Sequence, residues 1–270
     1  MSKKQKAIGV FDSGLGGLTV LKEISKILPN ENIVYFGDTA RVPYGPRSSE
    51  TVTKYTFQSI NFLLEKDIKA IVIACNTASA RSLAAAQERY NIPIIGVIKP
   101  GSKGALLKTA NNKIGIIGTE GTISSRAYES EILKNEPSAH VFSKACSLFV
   151  PIVEEGWSNT EVARLTAKEY LKDFDHTEID TLVMGCTHYP MLYETLLKVT
   201  ENKVNLVNPA VETASDLKSL LEEKDLINDN QKKGIYEYYV SDLPVKFKKI
   251  AEDFLEQSVE GVRVIEIQKY

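Results

Sequence analysis

The sequence predicts an α/β protein of two pseudo-symmetric domains, each with a mainly parallel sheet flanked by helices, and an active site in the interdomain cleft. Short apolar runs alternate with segments of helical spacing, which is typical of βαβ units. Two apolar runs, residues 71–79 and 182–190, each pass through a small residue and a cysteine into polar residues. The segments that precede them align, and Ile8-Gly9-Val10-Phe11 is echoed by Ile114-Gly115-Ile116-Ile117. A pattern used twice indicates two related halves that hold one small molecule from opposite sides.

Apolar runs of four or five residues predict the strands, and apolar residues at helical spacing predict the helices between them. A helix over residues 18–28 ends before Pro29, one more follows Asn208-Pro209, and another begins at Pro244. The predicted strands are residues 7–11, 33–36, 70–74, 94–97, 113–117, 181–185, 204–207, 236–240 and 263–267.

Two segments divide the chain. Lys99-Pro100-Gly101 has the composition of a hinge, and Asn208-Pro209 marks the return crossing. Because strands that return late in a chain usually complete the first sheet, we expect the C-terminal residues to dock on the first domain. The first predicted domain is residues 1–98 plus 208–270, which carry Asp12 and Cys75, and the second is residues 99–207, which carry Glu154, Cys186 and His188.

Composition excludes several classes of protein. The 270 residues are 43% hydrophobic with a net charge of −2, and the acids and bases are interspersed, which argues against a nucleic-acid or membrane surface. The apolar runs fall short of the ~18 residues that a membrane span requires. The N-terminus is basic but lacks the apolar region of a signal peptide. Three cysteines without CxxC spacing favour neither a disulfide framework nor a zinc site, so we expect a reduced, cytoplasmic protein.

Cys75 and Cys186 each stand where a strand is predicted to end and a helix to start. Unpaired backbone N–H groups and the helix dipole at such a place favour the thiolate form of a thiol whose pKa is ordinarily near ~8.5. The free amides would also bind a carboxylate. Two buried core cysteines are the alternative, but their repeat-related positions favour chemistry. Cys146 has no such context and is read as structural.

The loop from Asp12 to Gly17 also has two readings. It lacks the third glycine of a dinucleotide-binding loop, since Thr19 stands there, and it lacks the lysine of a phosphate-binding loop. Asp12 would moreover repel a phosphate. We interpret Asp12 as an acid near the active site that holds a substrate ammonium or polarises the thiol; a plain tight turn is the alternative.

Three other segments carry weaker signals. Tyr44 and Gly45, in a loop after a strand, line a small polar pocket or belong to an ordinary turn. His188 lies two positions after Cys186 and is a candidate general acid or base, whereas His140 and His176 are predicted to be surface residues. Glu154 follows an apolar run and points either toward the cleft or into solvent.

Four blocks together resemble the signature of bacterial glutamate racemases, in the aspartate/glutamate racemase superfamily. They are residues 12–21, 43–45, 74–78 and 185–190, which read DSGLGGLTVL, PYG, ACNTA and GCTHYP. The resemblance implies a cofactor-independent enzyme without a metal that makes D-glutamate for peptidoglycan. It implies that Cys75 and Cys186 are the catalytic thiols and that Glu154, next to Glu155, is the assisting acid. It implies substrate binding by Asp12, Ser13, Tyr44, Gly45, Asn76, Thr77, Thr187 and His188.

The chemistry of inverting an α-carbon agrees with two thiols. One group must remove the proton on one face while another delivers a proton on the opposite face, and two groups of similar pKa can exchange these roles. Helix-start amides around the α-carboxylate would stabilise the carbanion, and domain closure would exclude water. Two alternatives remain, namely a racemase or decarboxylase of aspartate or another small acid, and a non-catalytic small-ligand binding protein, against which both thiols argue. We expect a small-molecule substrate, no nucleic acid or membrane partner, and a homodimer.

Overall fold

The structure, a computed structural model, describes residues 2–255 and 257–270. It contains two sheets, one of six strands and one of four, and every strand pairing in both sheets is parallel. Helices flank both sheets, which confirms the predicted fold class. The strands are β1 (Ala7–Asp12), β2 (Ile33–Gly37), β3 (Ile68–Ile73), β4 (Ile94–Gly96), β5 (Lys113–Gly118), β6 (His140–Ala145), β7 (Thr181–Gly185), β8 (Asn205–Val207), β9 (Tyr236–Val240) and β10 (Arg263–Val264).

The helices connect successive strands, as parallel pairing requires. α4 and α10 pack against each other and join the two sheets. The helices are α1 (Leu18–Ile27), α2 (Ser49–Leu64), α3 (Asn76–Arg89), α4 (Ile98–Lys108), α5 (Glu120–Ser124), α6 (Ala127–Asn135), α7 (Phe149–Glu154), α8 (Glu161–Leu171), α9 (Tyr193–Val199), α10 (Pro209–Glu223) and α11 (Pro244–Leu255). In the described part of the chain, no helix is both long enough and apolar enough to cross a bilayer.

The two sheets share one strand order. The first reads β10-β9-β2-β1-β3-β4 and the second reads β6-β5-β7-β8, so that β2-β1-β3-β4 and β6-β5-β7-β8 correspond strand by strand. We call the elements around the six-stranded sheet the first half and those around the four-stranded sheet the second half. Cys75 comes soon after β3 and Cys186 directly after β7, which are equivalent strands. The repeat seen in the sequence is therefore a repeat of topology.

A matching contact supports this equivalence at the level of side chains. Gly9 in β1 packs against Ile68, and a Cβ on Gly9 would lie 3.1 Å from the Ile68 Cδ1 atom. Gly115 in β5 packs against Ile179, and a Cβ there would lie 2.6 Å from its Cδ1 atom. At both central strands, an isoleucine in the equivalent position therefore leaves little room for a side chain on the glycine.

The sheets are buried on both faces, which explains their continuous apolar runs. In the first half, one core cluster lies under α1, α10 and α11 and another under α2 and α3. In the second half, two clusters likewise cover the two faces of the sheet. This layered packing leaves the loops after β1, β3, β5 and β7 at the carboxyl edges of the sheets, where open α/β sheets bind ligands.

Local structure differs from the predictions in three places. Lys99-Pro100-Gly101 is not a loop but lies in the first turn of α4, where a proline removes no helical hydrogen bond, and its role as a hinge stays a prediction. The edge strand β6 was missed, and the last predicted strand shortens to Arg263–Val264 followed by a 3₁₀ turn at Ile267–Lys269. The first half contains strands from both chain ends and the second half those from Lys113 to Val207, whereas the exact domain boundaries stay a prediction.

Candidate active site

Cys75 is the N-cap residue of α3, and its Sγ accepts a hydrogen bond from the Ala78 N–H at 3.5 Å. The predicted helix start is therefore present. The hydrogen bonds from Ser13 and Ala78 lower the pKa of Cys75 as predicted, but burial and the negative charge of Asp12 outweigh them and raise that pKa to about 12, so the predicted thiolate is not favoured. Without substrate, Cys75 is a thiol at neutral pH.

Cys186 has a different neighbourhood. The residues after it form a turn and a short 3₁₀ helix, Tyr189–Leu192, and the next α-helix begins only at Tyr193. The predicted helix start is present, but it begins a 3₁₀ helix at Tyr189, with His188 as the N-cap residue and Pro190 in the first turn. The nearest group to this thiol is an imidazole, with the Sγ of Cys186 lying 3.8 Å from Nδ1 of His188.

His188 in turn contacts a carboxylate. Its Nε2 lies 3.2 Å from Oε1 of Glu154, at the end of α7. Burial alone would lower the pKa of His188, but the hydrogen bonds with Cys186 and Glu154 outweigh it and raise that pKa to about 10. The same hydrogen bond from His188 lowers the pKa of Glu154. Glu155 is exposed, so Glu154 is the acid that faces the imidazole.

Asp12 ends β1 and is fully buried. Its Oδ2 accepts a hydrogen bond from the Gly14 N–H at 2.8 Å, and its Oδ1 accepts one from the Thr187 hydroxyl at 3.4 Å. Burial raises the pKa of Asp12, while the charge of His188 and the backbone N–H groups of the loop act against that rise. This carboxyl group thus lies between the two cysteine-bearing loops.

The glycines after Asp12 are explained by close approach rather than by phosphate binding. A Cβ on Gly16 would lie 2.3 Å from the Thr187 Oγ1 atom and 2.6 Å from the His188 Nδ1 atom. A Cβ on Gly17 would lie 2.4 Å from the Asp12 Cβ atom. Only glycine lets this loop of the first half contact the Cys186 loop of the second.

Both cysteines line one small cavity of about 30 Å³ between the two halves. All of the residues predicted to bind substrate, except Asp12, line it as well. Asp12 and Glu154 lie outside the lining and contact it through Thr187 and His188. Its lining consists of Ser13, Val42, Pro43, Tyr44, Gly45, Cys75, Asn76, Thr77, Thr119, Val150, Cys186, Thr187 and His188. A larger cavity of about 740 Å³ lies on the other side of Glu154 and His188.

Hydrogen bonds between the halves surround the small cavity. The Thr77 hydroxyl lies 2.8 Å from that of Thr119 and 3.3 Å from that of Thr122. The Thr19 hydroxyl donates to the Thr187 carbonyl oxygen at 3.0 Å. The Tyr128 hydroxyl donates to Oδ1 of Asn76 at 2.7 Å.

Tyr44 and Gly45 line the small cavity, as predicted. The Tyr44 hydroxyl donates to the buried carboxylate of Asp38, which also forms an ion pair with Arg41 at 2.6 Å. The ring of Tyr44 lines the cavity, but its hydroxyl is directed to Asp38. Gly45 contacts the second half, since a Cβ there would lie 2.9 Å from Cβ of Thr119.

Thr119, Thr122 and Tyr128 were missed. The signal for Thr119 was available, because β1 and β5 are repeats and Thr119 follows β5 as Ser13 follows β1.

Cys146 lies in the core of the second half, with its Sγ 3.6 Å from the Lys144 carbonyl oxygen, and His140 and His176 are exposed, all as predicted. Among residues 2–255 and 257–270, no three His, Cys, Asp or Glu side chains are grouped so as to hold a metal ion.

Comparison with known proteins places this geometry in a family. Residues 8–217 match the Asp/Glu/hydantoin racemase family. A glutamate racemase from Geobacter metallireducens is 50% identical over 250 residues, which cover 93% of each chain. The crystal structure of a Bacillus anthracis glutamate racemase isoform superposes with a TM-score of 0.94 at 40% identity, covering 97% of this chain and 98% of that one.

A second crystal structure, of the Francisella tularensis glutamate racemase in complex with D-glutamate, superposes with a TM-score of 0.92 at 42% identity. It covers 99% of this chain and 100% of its own. These matches extend over both halves, including both cysteine loops. The chain therefore belongs to the Asp/Glu/hydantoin racemase family and, within it, to the glutamate racemases.

Proposed function

We propose that the protein interconverts L- and D-glutamate with Cys75 and Cys186 as its two acid–base groups. The observation that carries this proposal is that the two thiols line one cavity from opposite halves, each following an equivalent strand. The relatives support the substrate, since the similar proteins are glutamate racemases and one was crystallised with D-glutamate.

The reaction moves one proton off the α-carbon and another onto it. A thiolate on one face removes the α-proton and becomes a thiol, while the thiol on the other face donates its proton to the carbanion and becomes a thiolate. Atoms and charge balance without any other reactant. Reversal exchanges the two roles, so the same pair serves both directions.

Because the pKa of Cys75 is raised, the bound substrate would itself help to activate this thiol. The charge of Asp12 is one cause of that rise. A substrate ammonium beside Asp12 would offset this charge, and an added positive charge nearby lowers the pKa of a thiol. We therefore assign Asp12 to the ammonium, with Ser13 and Thr187 next to it.

The carboxylate end of the substrate has donors at the start of α3. This helix has 14 residues and begins at Asn76, so N–H groups of its first turn and the Asn76 side chain can bind an anion. The Thr77 hydroxyl, which contacts Thr119 while the halves are together, would join them once that contact is released. Donors fixed near the α-carboxylate stabilise the charge that develops when the α-proton leaves. Gly45 and the Tyr44 ring remain to line the side-chain end.

Glu154 and His188 support Cys186. With the pKa of His188 raised to about 10, the imidazole is protonated at neutral pH and would stabilise negative charge on Cys186 whenever this group acts as the base. Glu154 holds the imidazolium in position and balances its charge. In this assignment Glu154 is a positioning residue, because it acts through His188.

Substrate entry requires the halves to separate. The cavity between the halves measures only about 30 Å³, which leaves little free space for glutamate while the halves are in contact. We propose residues 1–98 plus 208–270 and residues 99–207 as the units that move. The contacts Thr77–Thr119, Thr19–Thr187 and Asn76–Tyr128 would break on opening and form again on closing.

The proposal extends to the cellular role that the resemblance implies. The protein would act in the cytoplasm as a homodimer, without cofactor, and would supply D-glutamate for peptidoglycan.

The direct test is circular dichroism of L-glutamate incubated with the pure protein and no added cofactor. We expect the signal to decay to that of a racemate, with L-aspartate changing far more slowly. A stable L-glutamate signal, or faster loss of the aspartate signal, would overturn the assignment.

A further inference from the structure

One contact between the halves joins the surroundings of both thiols. Tyr128, on α6 of the second half, is only 2% exposed, and its hydroxyl donates to Oδ1 of Asn76 at 2.7 Å. Asn76 immediately follows Cys75 and lines the small cavity. A side chain of the second half therefore holds a cavity residue of the first half.

The ring of Tyr128 packs closely against two glycines. A Cβ on Gly101 in α4 would lie 3.0 Å from Cε1 of Tyr128, and a Cβ on Gly185 would lie 3.2 Å from Cε2. Gly185 is the residue before Cys186. The ring thus rests against the backbone of one thiol-bearing loop while its hydroxyl reaches the other. Because the ring is buried and packs closely against both backbones, the hydroxyl is kept near Asn76.

The hydroxyl also sets which end of the Asn76 amide faces the cavity. In the described part of the chain, the Tyr128 hydroxyl has Asn76 as its one hydrogen-bond partner. If the amide turned over, the hydroxyl would accept from Nδ2 and its own hydrogen would be buried without an acceptor, which is costly. Burial also raises the pKa of Tyr128, so the hydroxyl keeps its hydrogen.

We propose that Tyr128 is a positioning residue for racemisation, which holds the Asn76 amide with Nδ2 toward the cavity as a donor to the substrate carboxylate. This inference rests on the proposed function, in which the start of α3 binds that carboxylate. Among the described residues, Asn76 Nδ2 has no hydrogen-bond partner within the protein, so its N–H groups are available. A turned amide would instead present Oδ1, which repels a carboxylate.

The test compares Tyr128→Phe, Asn76→Ala and the double variant. Tyr128→Phe removes only the hydroxyl and lets the amide turn over. We expect KM to rise about tenfold for both enantiomers, the usual scale for losing a hydrogen bond to a charged group, and kcat to fall by less than about threefold. Asn76→Ala should raise KM at least as much. In the double variant KM should equal that of Asn76→Ala, because the hydroxyl acts only through the amide.

Tyr90→Phe is the matched control. The Tyr90 hydroxyl also donates to an asparagine Oδ1, that of Asn61, at 2.8 Å, but neither residue lines the small cavity. Its kinetic constants should stay at wild-type values. KM does not depend on the fraction of protein that is folded, so a loss of stability in Tyr128→Phe cannot imitate the expected result.

Three results would overturn the inference. The first is a wild-type KM in Tyr128→Phe, and the second is additive losses in the double variant. The third is a wild-type KM in Asn76→Ala, which would also remove Asn76 from carboxylate binding. Racemisation by the wild-type protein is measured in the same assay, so failure of the proposed function itself would be seen separately.

Discussion

The two cysteine loops follow equivalent strands and yet provide different chemistry. After β3, Cys75 caps an α-helix and lies near the buried carboxyl group of Asp12. After β7, Cys186 lies 3.8 Å from an imidazole that is itself held by Glu154. The repeated strand order places the two thiols alike, whereas the residues around each thiol have diverged.

This difference teaches how a nearly symmetric reaction is served by an asymmetric site. The substrate enantiomers are mirror images, but the protein around them is not, so each thiol needs its own means of becoming a base. In the proposed mechanism, Asp12 raises the pKa of Cys75 until a substrate ammonium offsets its charge, whereas Cys186 has beside it an imidazole whose pKa of about 10 makes it a cation at neutral pH. The following predictions test that division, from the largest effect to the smallest.

The largest effects are expected from removing either thiol. Cys75→Ser and Cys186→Ser should each lower kcat by about 10³-fold or more in both directions, because a serine hydroxyl is a far weaker acid than a thiol at neutral pH. Racemisation followed by circular dichroism checks this, with Cys146→Ser as the control that should remain close to wild type. Substantial racemisation by either of the first two variants would contradict the two-thiol account.

Intermediate effects are expected from the groups beside each thiol. Asp12→Asn and His188→Asn should lower kcat by about 10²-fold and change KM less, the pattern of lost transition-state stabilisation. Because they serve opposite thiols, we expect the two variants to differ in which direction suffers the larger fall in kcat. Losses confined to KM would demote both residues to binding roles.

The smallest effect is a shift in pH dependence. His188 has a raised pKa of about 10, so its protonated form is present below that pH and is lost as the pH rises through it. Glu154→Gln removes the carboxylate that contributes to the rise, so the pKa of His188 should fall. The alkaline limb of the kcat/KM profile should therefore move to lower pH by about one unit. An unmoved limb would show that Glu154 does not act through His188.

The sequence was sufficient for the buried strands and for the positions of Cys75 and Cys186 after two of them, because buried parallel strands produce continuous apolar runs. It was insufficient for β6, an edge strand whose residues are exposed or half-buried, so that no apolar run marks it. It also did not predict the start of α4, because Lys99-Pro100-Gly101 has the composition of a loop although a proline is tolerated in a first helical turn.

Electrostatics was the part of the site least accessible from the sequence. The helix start at Cys75 was correctly located, but the size of the opposing burial and the nearness of Asp12 depend on packing across the halves. The link between His188 and Glu154 joins residues far apart in the chain. Thr119 could have been found from the repeat, whereas Tyr128 has no signal in the sequence, because its role depends on α6 facing the start of α3.

The origin of the α-hydrogen in the first-formed product tests the central claim most directly. L-glutamate is incubated with the protein in D₂O until only a small fraction has been converted. The two enantiomers are then separated, and the mass of each is measured by mass spectrometry. With two thiols, the group that takes the α-proton is not the group that returns one. The D-glutamate should carry deuterium at the α-carbon, while the remaining L-glutamate stays largely unlabelled. Protium retained at the α-carbon of the first-formed D-glutamate would contradict the account.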